Sequence, residues 1–148
     1  MREIQTGITL GTDKVIYRET DPKIIDSIRC MFVPDQAYSN DVMANEFSRM
    51  MVFDPDNIYV FTGYYKEVMV AFLIAHTVGD RNYALLAQAW SYANRIDAQI
   101  GLGVILDWCK EKGLSELRYE TSNDIARLMG TKRYGFSTLG VIMSKKVS

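Results

Sequence analysis

Two glycines one residue apart, Gly101 and Gly103, stand in "NRIDAQIGLGVILDWCKEKG", between a polar opening and an amphipathic run that stops at Gly113. The first amides of a helix have no partner within it and lie at the positive end of its dipole. A strand that enters a glycine-containing turn and then a helix can therefore bind an anion. Glycine also lets a phosphate approach main chain that a side chain would shield. The chemistry on offer is phosphate recognition by backbone amides, and the alternative is a flexible entry into a helix. The pair lacks the third glycine and following acid of a dinucleotide fingerprint, and the Lys and Ser/Thr of a P-loop.

Few other side chains offer chemistry. His76, the sole histidine, ends a strand-like run and either titrates near neutrality or sits as a satisfied structural residue. Glu120 falls near the carboxyl end of a strand, where ligands of open parallel sheets collect, and is otherwise a solvated or ion-paired glutamate. The polar members of the strand around 83–93 are Gln88, Ser91 and Asn94, with no carboxylate among them, while Trp90 and Tyr92 belong either to a cleft or to the core. Cys30 and Cys109 both lie in apolar, helix-like surroundings without CxxC or Cys/His spacing, so both are expected to be buried thiols in a reducing compartment, with no metal site.

The elements that would position these groups follow from periodicity. At 148 residues, 48% hydrophobic and 24% charged, the chain is expected to be a single domain, 1–148, with a core that needs no staples. "KVIYRE" at 14–19 reads as a strand, and Asp21-Pro22 opens a helix with Ile24, Ile25, Ile28, Met31 and Phe32 on one face. Asn40 is expected to cap a second helix whose buried stripe is Val42, Met43, Phe47, Met50 and Met51. "IYVFTGYY" and "VMVAFLIAHTV" flank Lys66-Glu67 as an antiparallel hairpin, and "GDRN" leads into a third strand over 83–93. A loop and a helix over roughly residues 101–112 follow, with Val104, Ile105, Trp108 and Cys109 on one face and Asp107, Lys110 and Glu111 on the other. "SELRYETS" is the next strand, parallel to that at 83–93 through a right-handed crossover. Asn123 caps a last helix, and "YGFSTLGVIMSKKV" closes the chain as a final strand. The expected order is β-α-α-β-β-β-α-β-α-β, an α/β (α+β) arrangement with a mixed, mostly antiparallel sheet flanked by helices.

This order, the glycine loop, "SNDIA", "YGF" and the closing "LGVIMSKKV" resemble the GNAT superfamily of acyl-CoA N-acyltransferases over essentially the whole chain. The family's loop, R/Q-x-x-G-x-G/A, binds the pyrophosphate of acetyl-CoA through backbone amides. Gly101 and Gly103 fill its small positions, Ala98 stands where Arg or Gln leads, and Gln99 comes one residue late. The resemblance implies cofactor contacts at Gln99, Ile100, Gly101, Leu102, Gly103 and Val104. It also implies contacts at Tyr92 and Ala93, where the fourth strand meets the pantetheine arm and thioester, and at Asn123, which opens the family's N-x-x-A helix with Ala126. Gly135-Phe136 matches the family's Gly-Phe pair after one extra residue. The place of the family's thiolate-protonating tyrosine falls at Met129 or Gly130, and Tyr134 is the nearest phenol. Arg95, Lys132 and Arg133 are the cations nearest a 3'-phosphate, with solvated surface charge as the alternative.

The activity implied is acetyl transfer from acetyl-CoA, or another acyl-CoA, to a primary amine of a small molecule or protein, with no metal. Tyr134 is the candidate acid, a packing tyrosine being the alternative, and Glu120 is the candidate base beside deprotonation through ordered water with no dedicated base. The alternative is a noncatalytic module of the same fold that senses acyl-CoA or associates with a protein. A formal charge of -1 gives no reason to expect nucleic acid or an anionic membrane, and "MREIQTGITLG" lacks a signal-peptide core. A cytoplasmic protein is expected, with a homodimer possible by family analogy.

Overall fold

The computed structural model describes residues 2–4, 13–33, 39–92, 95–120, 137–139 and 142–147, and of residues 2–4, 95–98, 120, 137–139 and 142–145 it describes the main chain alone. The elements are β1 (Arg2–Ile4), β2 (Lys14–Glu19), α1 (Lys23–Ile28), α2 (Asn40–Phe53), β3 (Ile58–Tyr65), β4 (Val68–Thr77), β5 (Tyr83–Ser91), α3 (Arg95–Glu111), β6 (Glu116–Glu120), β7 (Ser137–Leu139) and β8 (Ile142–Lys146). They build one sheet in the order β1-β2-β3-β4-β5-β6-β8-β7. Every neighbouring pair is antiparallel except β5 and β6, which are parallel and joined by the α3 crossover.

From β2 to β6 this is the order read from periodicity. Two features differ. A short β1 adds to the edge beside β2, and the expected final strand is a β7–β8 hairpin whose second strand pairs with β6. The helix expected after β6 lies outside the described residues.

Both faces of the central strands are covered, which is why β3 and β4 read as nearly continuous apolar runs. On one face Tyr59, Phe61, Leu73, Ala84 and Leu117 pack against Leu102, Ile105, Trp108 and Cys109 of α3. On the other, Ile58, Val60, Phe72 and Ile74 pack against Ile25, Ile28 and Phe32 and against Ala44, Phe47 and Met51 of α2. In α2 the expected stripe is rotated slightly: Val42 is exposed, and Ala44 takes a buried place.

Local signals explain the element ends. The Asp21 carboxylate accepts from the Lys23 amide at the start of α1. Ser39, rather than Asn40, caps α2, its hydroxyl accepting from the Val42 amide. Asn40 is the first helical residue, and its side-chain amide donates to the carbonyls of Arg29 and Phe32, tying the start of α2 to the end of α1. Lys66 and Glu67 both adopt positive φ, as the twist of a two-residue hairpin demands. Gly113, at φ 75, ends α3 with its own amide on the Lys110 carbonyl and that of Leu114 on the Cys109 carbonyl.

The two thiols differ, against the expectation that both are buried. Cys30 is exposed in the 3-10 turn after α1, whereas Cys109 is buried on the sheet-facing side of α3, where burial pushes its thiol up to about 11. One thiol should therefore react with Ellman's reagent at mildly alkaline pH in the native protein, and both after denaturation. Two fast thiols in the native protein would contradict the packing of α3.

Candidate active site

β5 and β6 share only three paired positions, Tyr83↔Glu116, Ala84↔Leu117 and Leu85↔Arg118. Beyond them β5 stays with β4 as far as Ser91, while β6 stays with β8 as far as Glu120. The parting has a local cause. Opposite β5 the register shifts between Ile74 and Ala75, so that Ala75 faces Leu86, Ile74 faces Gln88, and Ala87 is the additional residue of a bulge. A bulge bends its strand and increases the twist, and this one comes directly after the last pair shared with β6. The outcome is a wedge that widens toward the carboxyl ends of two parallel strands, the end at which α3 begins and at which open α/β sheets hold ligands.

The wedge presents main chain. The Tyr92 amide donates to the Val70 carbonyl at 2.8 Å, so hydrogen bonding alternates along the ladder and Gln88, Trp90 and Tyr92 direct their amides at β4. The amides of Ala89 and Ser91 consequently point to the side that β6 has left. At the closed end, the Arg118 guanidinium lies 4.0 Å from the centroid of the Tyr83 ring and donates to Glu116 at 2.9 Å.

The structure redistributes the residues singled out in the sequence. α3 begins at Arg95, six residues before Gly101, so the expected loop ahead of a helix at 101 is corrected: both glycines are interior to the helix. Gly101 is buried, and a Cβ there would lie 2.7 Å from Leu73 Cδ1 and from Phe61 Cδ1 and Cε1. It is a notch that lets α3 sit close to the sheet, and this packing leaves it no face for a phosphate. Gly103 is exposed, with nothing within 4 Å of such a Cβ. Leu102 and Val104 belong to the core, Ile100 packs against it, and Gln99 is exposed.

The amides without helical partners are those of the first turn, from Arg95 onward. The Tyr92 amide is held by the Val70 carbonyl. Tyr92 as a whole is 67% exposed. Glu120 closes β6 on the parting side of the wedge, and its main chain alone is described. His76 pairs with Leu85, at the closed end, and its Nδ1 lies 2.8 Å from the Thr77 carbonyl oxygen, so it stands away from the mouth. Ala93, Asn123, Ala126, Lys132, Arg133, Tyr134, Gly135 and Phe136 lie outside the described residues.

Gln88 stands in the sequence only as a polar member of its strand, and the structure supplies its partner. At 6% exposure, its Oε1 accepts from the Val33 amide at 2.8 Å and its Nε2 donates to the Val33 carbonyl at 3.1 Å, with Met43 Sδ at 3.5 Å. A buried side-chain amide thus pins the chain leaving α1 to the bulged strand. The signal in the sequence was a lone polar residue within an apolar run, which cannot reveal a partner 55 positions away. Among the described residues no group of three or more His, Cys, Asp or Glu could hold a metal ion, and no helix is long and apolar enough to cross a membrane.

A bulged strand, a parallel neighbour that parts from it and a helix starting at the mouth define an α/β fold that can hold an extended ligand between two strands. Solved structures make the likeness specific. The chain is similar to the GNAT-family acetyltransferase of Streptococcus pneumoniae (TM-score 0.66, 14% identity, covering 92% of this chain and 100% of that one). It is also similar to the PaiA N-acetyltransferase of Thermoplasma acidophilum in complex with coenzyme A (0.61, 19%, covering 91% and 99%). The ribosomal-protein-S18-alanine N-acetyltransferase of Escherichia coli superposes comparably (0.64, 15%, covering 91% and 94%). No protein-family model matches the sequence, and no curated protein matches it by sequence. The chain has the GNAT fold.

Proposed function

We propose that the protein is an acetyl-CoA-dependent N-acetyltransferase. The observation that carries this reading is the wedge: among the described residues no strand pairs with Ala89 on the side that β6 leaves, and α3 starts at the mouth. An extended arm containing amides can pair with such an edge as an added strand. The first-turn amides of α3, between the small residues Ala93 and Ala98, are placed for a diphosphate. Coenzyme A in the Thermoplasma neighbour supports the same ligand here.

In this reading the chain's residues act on a neutral primary amine of a small molecule or protein. The open-edge amide of Ala89, the first beyond the bulge to face away from β4, donates to the thioester oxygen as negative charge develops there. The bulged strand holds the thioester carbon within reach of the amine, which bonds to it as the carbon–sulfur bond breaks. The ammonium proton leaves through water or Glu120, and the thiolate takes a proton from Tyr134 or water. Acyl-CoA is the co-substrate, no metal takes part, and the reaction belongs in the cytoplasm.

One observation favours the noncatalytic alternative. With α3 beginning at Arg95, residues 93–98 read ANRIDA, without a glycine and with an aspartate in the first turn. Thermal unfolding decides whether the ligand binds at all. A ligand present at about a hundred times its dissociation constant stabilises by roughly 2.7 kcal/mol, which for a chain of this size raises Tm by about 5–10 °C. Millimolar acetyl-CoA should produce such a shift, and loss of thioester absorbance should follow when an amine is added. No shift rejects the acetyl-CoA reading. A shift without turnover on any amine selects the sensing module.

A further inference from the structure

The bulged strand carries a run of aromatic rings that leads from the core to solvent. Phe72, fully buried on β4, stacks on Trp90 of β5 with centroids 5.9 Å apart and planes 23° apart. Trp90 in turn meets Tyr92 at 6.5 Å and 35°. Burial falls along this run, from 0% exposure at Phe72 through a half-buried Trp90 to 67% at Tyr92. The run thus sets an exposed tyrosine beside a half-buried tryptophan that is backed by the core. It lies on the α1 and α2 face of the sheet, two residues past Gln88 and therefore past the bulge that opens the wedge.

The rim of this strip is held in place. Gln88 grips both main-chain groups of Val33, leaving that side chain 65% exposed, and also touches Met43 Sδ, whose flexible thioether adapts to irregular shapes. Asp26 and Asp41, the carboxylates at the neighbouring helix ends, both contact Arg29. Among the described residues these two carboxylates are therefore already paired.

We infer that the acceptor amine is carried on an aromatic group, which lies on the Trp90–Tyr92 shelf while the amine reaches toward the bulge. The class is a small arylalkyl primary amine. This rests on the acetyl-transfer reading of the wedge, so the test separates the two. In the first arm, 2-phenylethylamine is titrated into the protein without acetyl-CoA, and the two tryptophan indole N–H resonances are followed by NMR. The Trp90 signal should move and that of Trp108, 5% exposed under α3, should stay. No movement of Trp90 at millimolar amine overturns the shelf, whatever acetyl-CoA does.

In the second arm, kcat/KM is compared for 2-phenylethylamine, n-butylamine and spermidine. An aromatic ring stacked on the shelf should favour 2-phenylethylamine over n-butylamine by at least about tenfold, and Tyr92→Ala should reduce that ratio by at least about threefold. Because the ratio is internal to each variant, a general loss of activity does not move it. A ratio near one, an unaltered ratio in Tyr92→Ala, or a preference for spermidine overturns the proposal. If acetyl-CoA neither binds nor reacts, the transfer reading fails and the first arm still judges the shelf.

Discussion

Replacing Ala89 with proline should lower kcat about a hundredfold to a thousandfold, equivalent to roughly 2.7–4 kcal/mol of barrier, without unfolding the protein. Proline removes one N–H and fixes φ, and within a sheet it is tolerated only where the lost donor faces an open edge. Position 89 meets that condition, because its neighbours Gln88 and Trp90 make the ladder with β4 while β6 has already departed. Ala89 is itself exposed, so the ring has room. The same change at Trp90 would break the β4 ladder and serves as the contrast: Trp90→Pro should lose both structure and activity. Turnover measured by thioester absorbance, with circular dichroism as the check on folding, gives the answer. Ala89→Pro with the original kcat would show that the open edge does not bind the developing oxyanion.

The two glycines should respond to substitution with opposite signs. Gly101→Val is expected to cost about 3 kcal/mol, the upper part of the usual overpacking range, because its first added carbon already meets Phe61 and Leu73 at 2.7 Å. Phe61 is fully buried and cannot turn aside, so α3 must lift from the sheet. For a chain of this length that is a fall in Tm of roughly 6–12 °C. Gly103→Ala should instead stabilise by about 0.5–1 kcal/mol, since alanine is the better helix former and the space around it is open. Paired melts of the two variants provide the measurement. Equal effects, or a neutral Gly101→Val, would mean that α3 stands farther from the sheet than the close approach at Gly101 requires.

Much of the fold was legible because its signals are local. The alternation and apolar runs of 14–19, 58–65, 68–77 and 83–91 mark their strands, Lys66-Glu67 marks a hairpin, and the face of Val104, Ile105, Trp108 and Cys109 identifies α3. The parallel pairing of β5 with β6 followed from chain order, since a strand, helix and strand close on themselves in one hand. The start of α3 was not legible. Gly101 and Gly103 look like an entry to a helix, yet a helix held to a sheet by Ile105, Trp108 and Cys109 can carry two interior glycines, each costing about 1 kcal/mol of propensity.

For the candidate site the division is sharper. By itself the sequence determined that a strand over 83–91 would be followed by a helix with Val104, Ile105, Trp108 and Cys109 on its buried face. Which amides face the opening depends on the Ala87 bulge and on where β6 departs, and both are outcomes of pairing between strands distant in the chain. Gly101 became a notch only when Phe61 and Leu73 came to lie beneath it, and Gln88 became a clamp only when Val33 came within reach. Periodicity records which face of an element is apolar; the identity of the atoms that meet that face belongs to tertiary packing, because steric fit and hydrogen bonding act between neighbours in space.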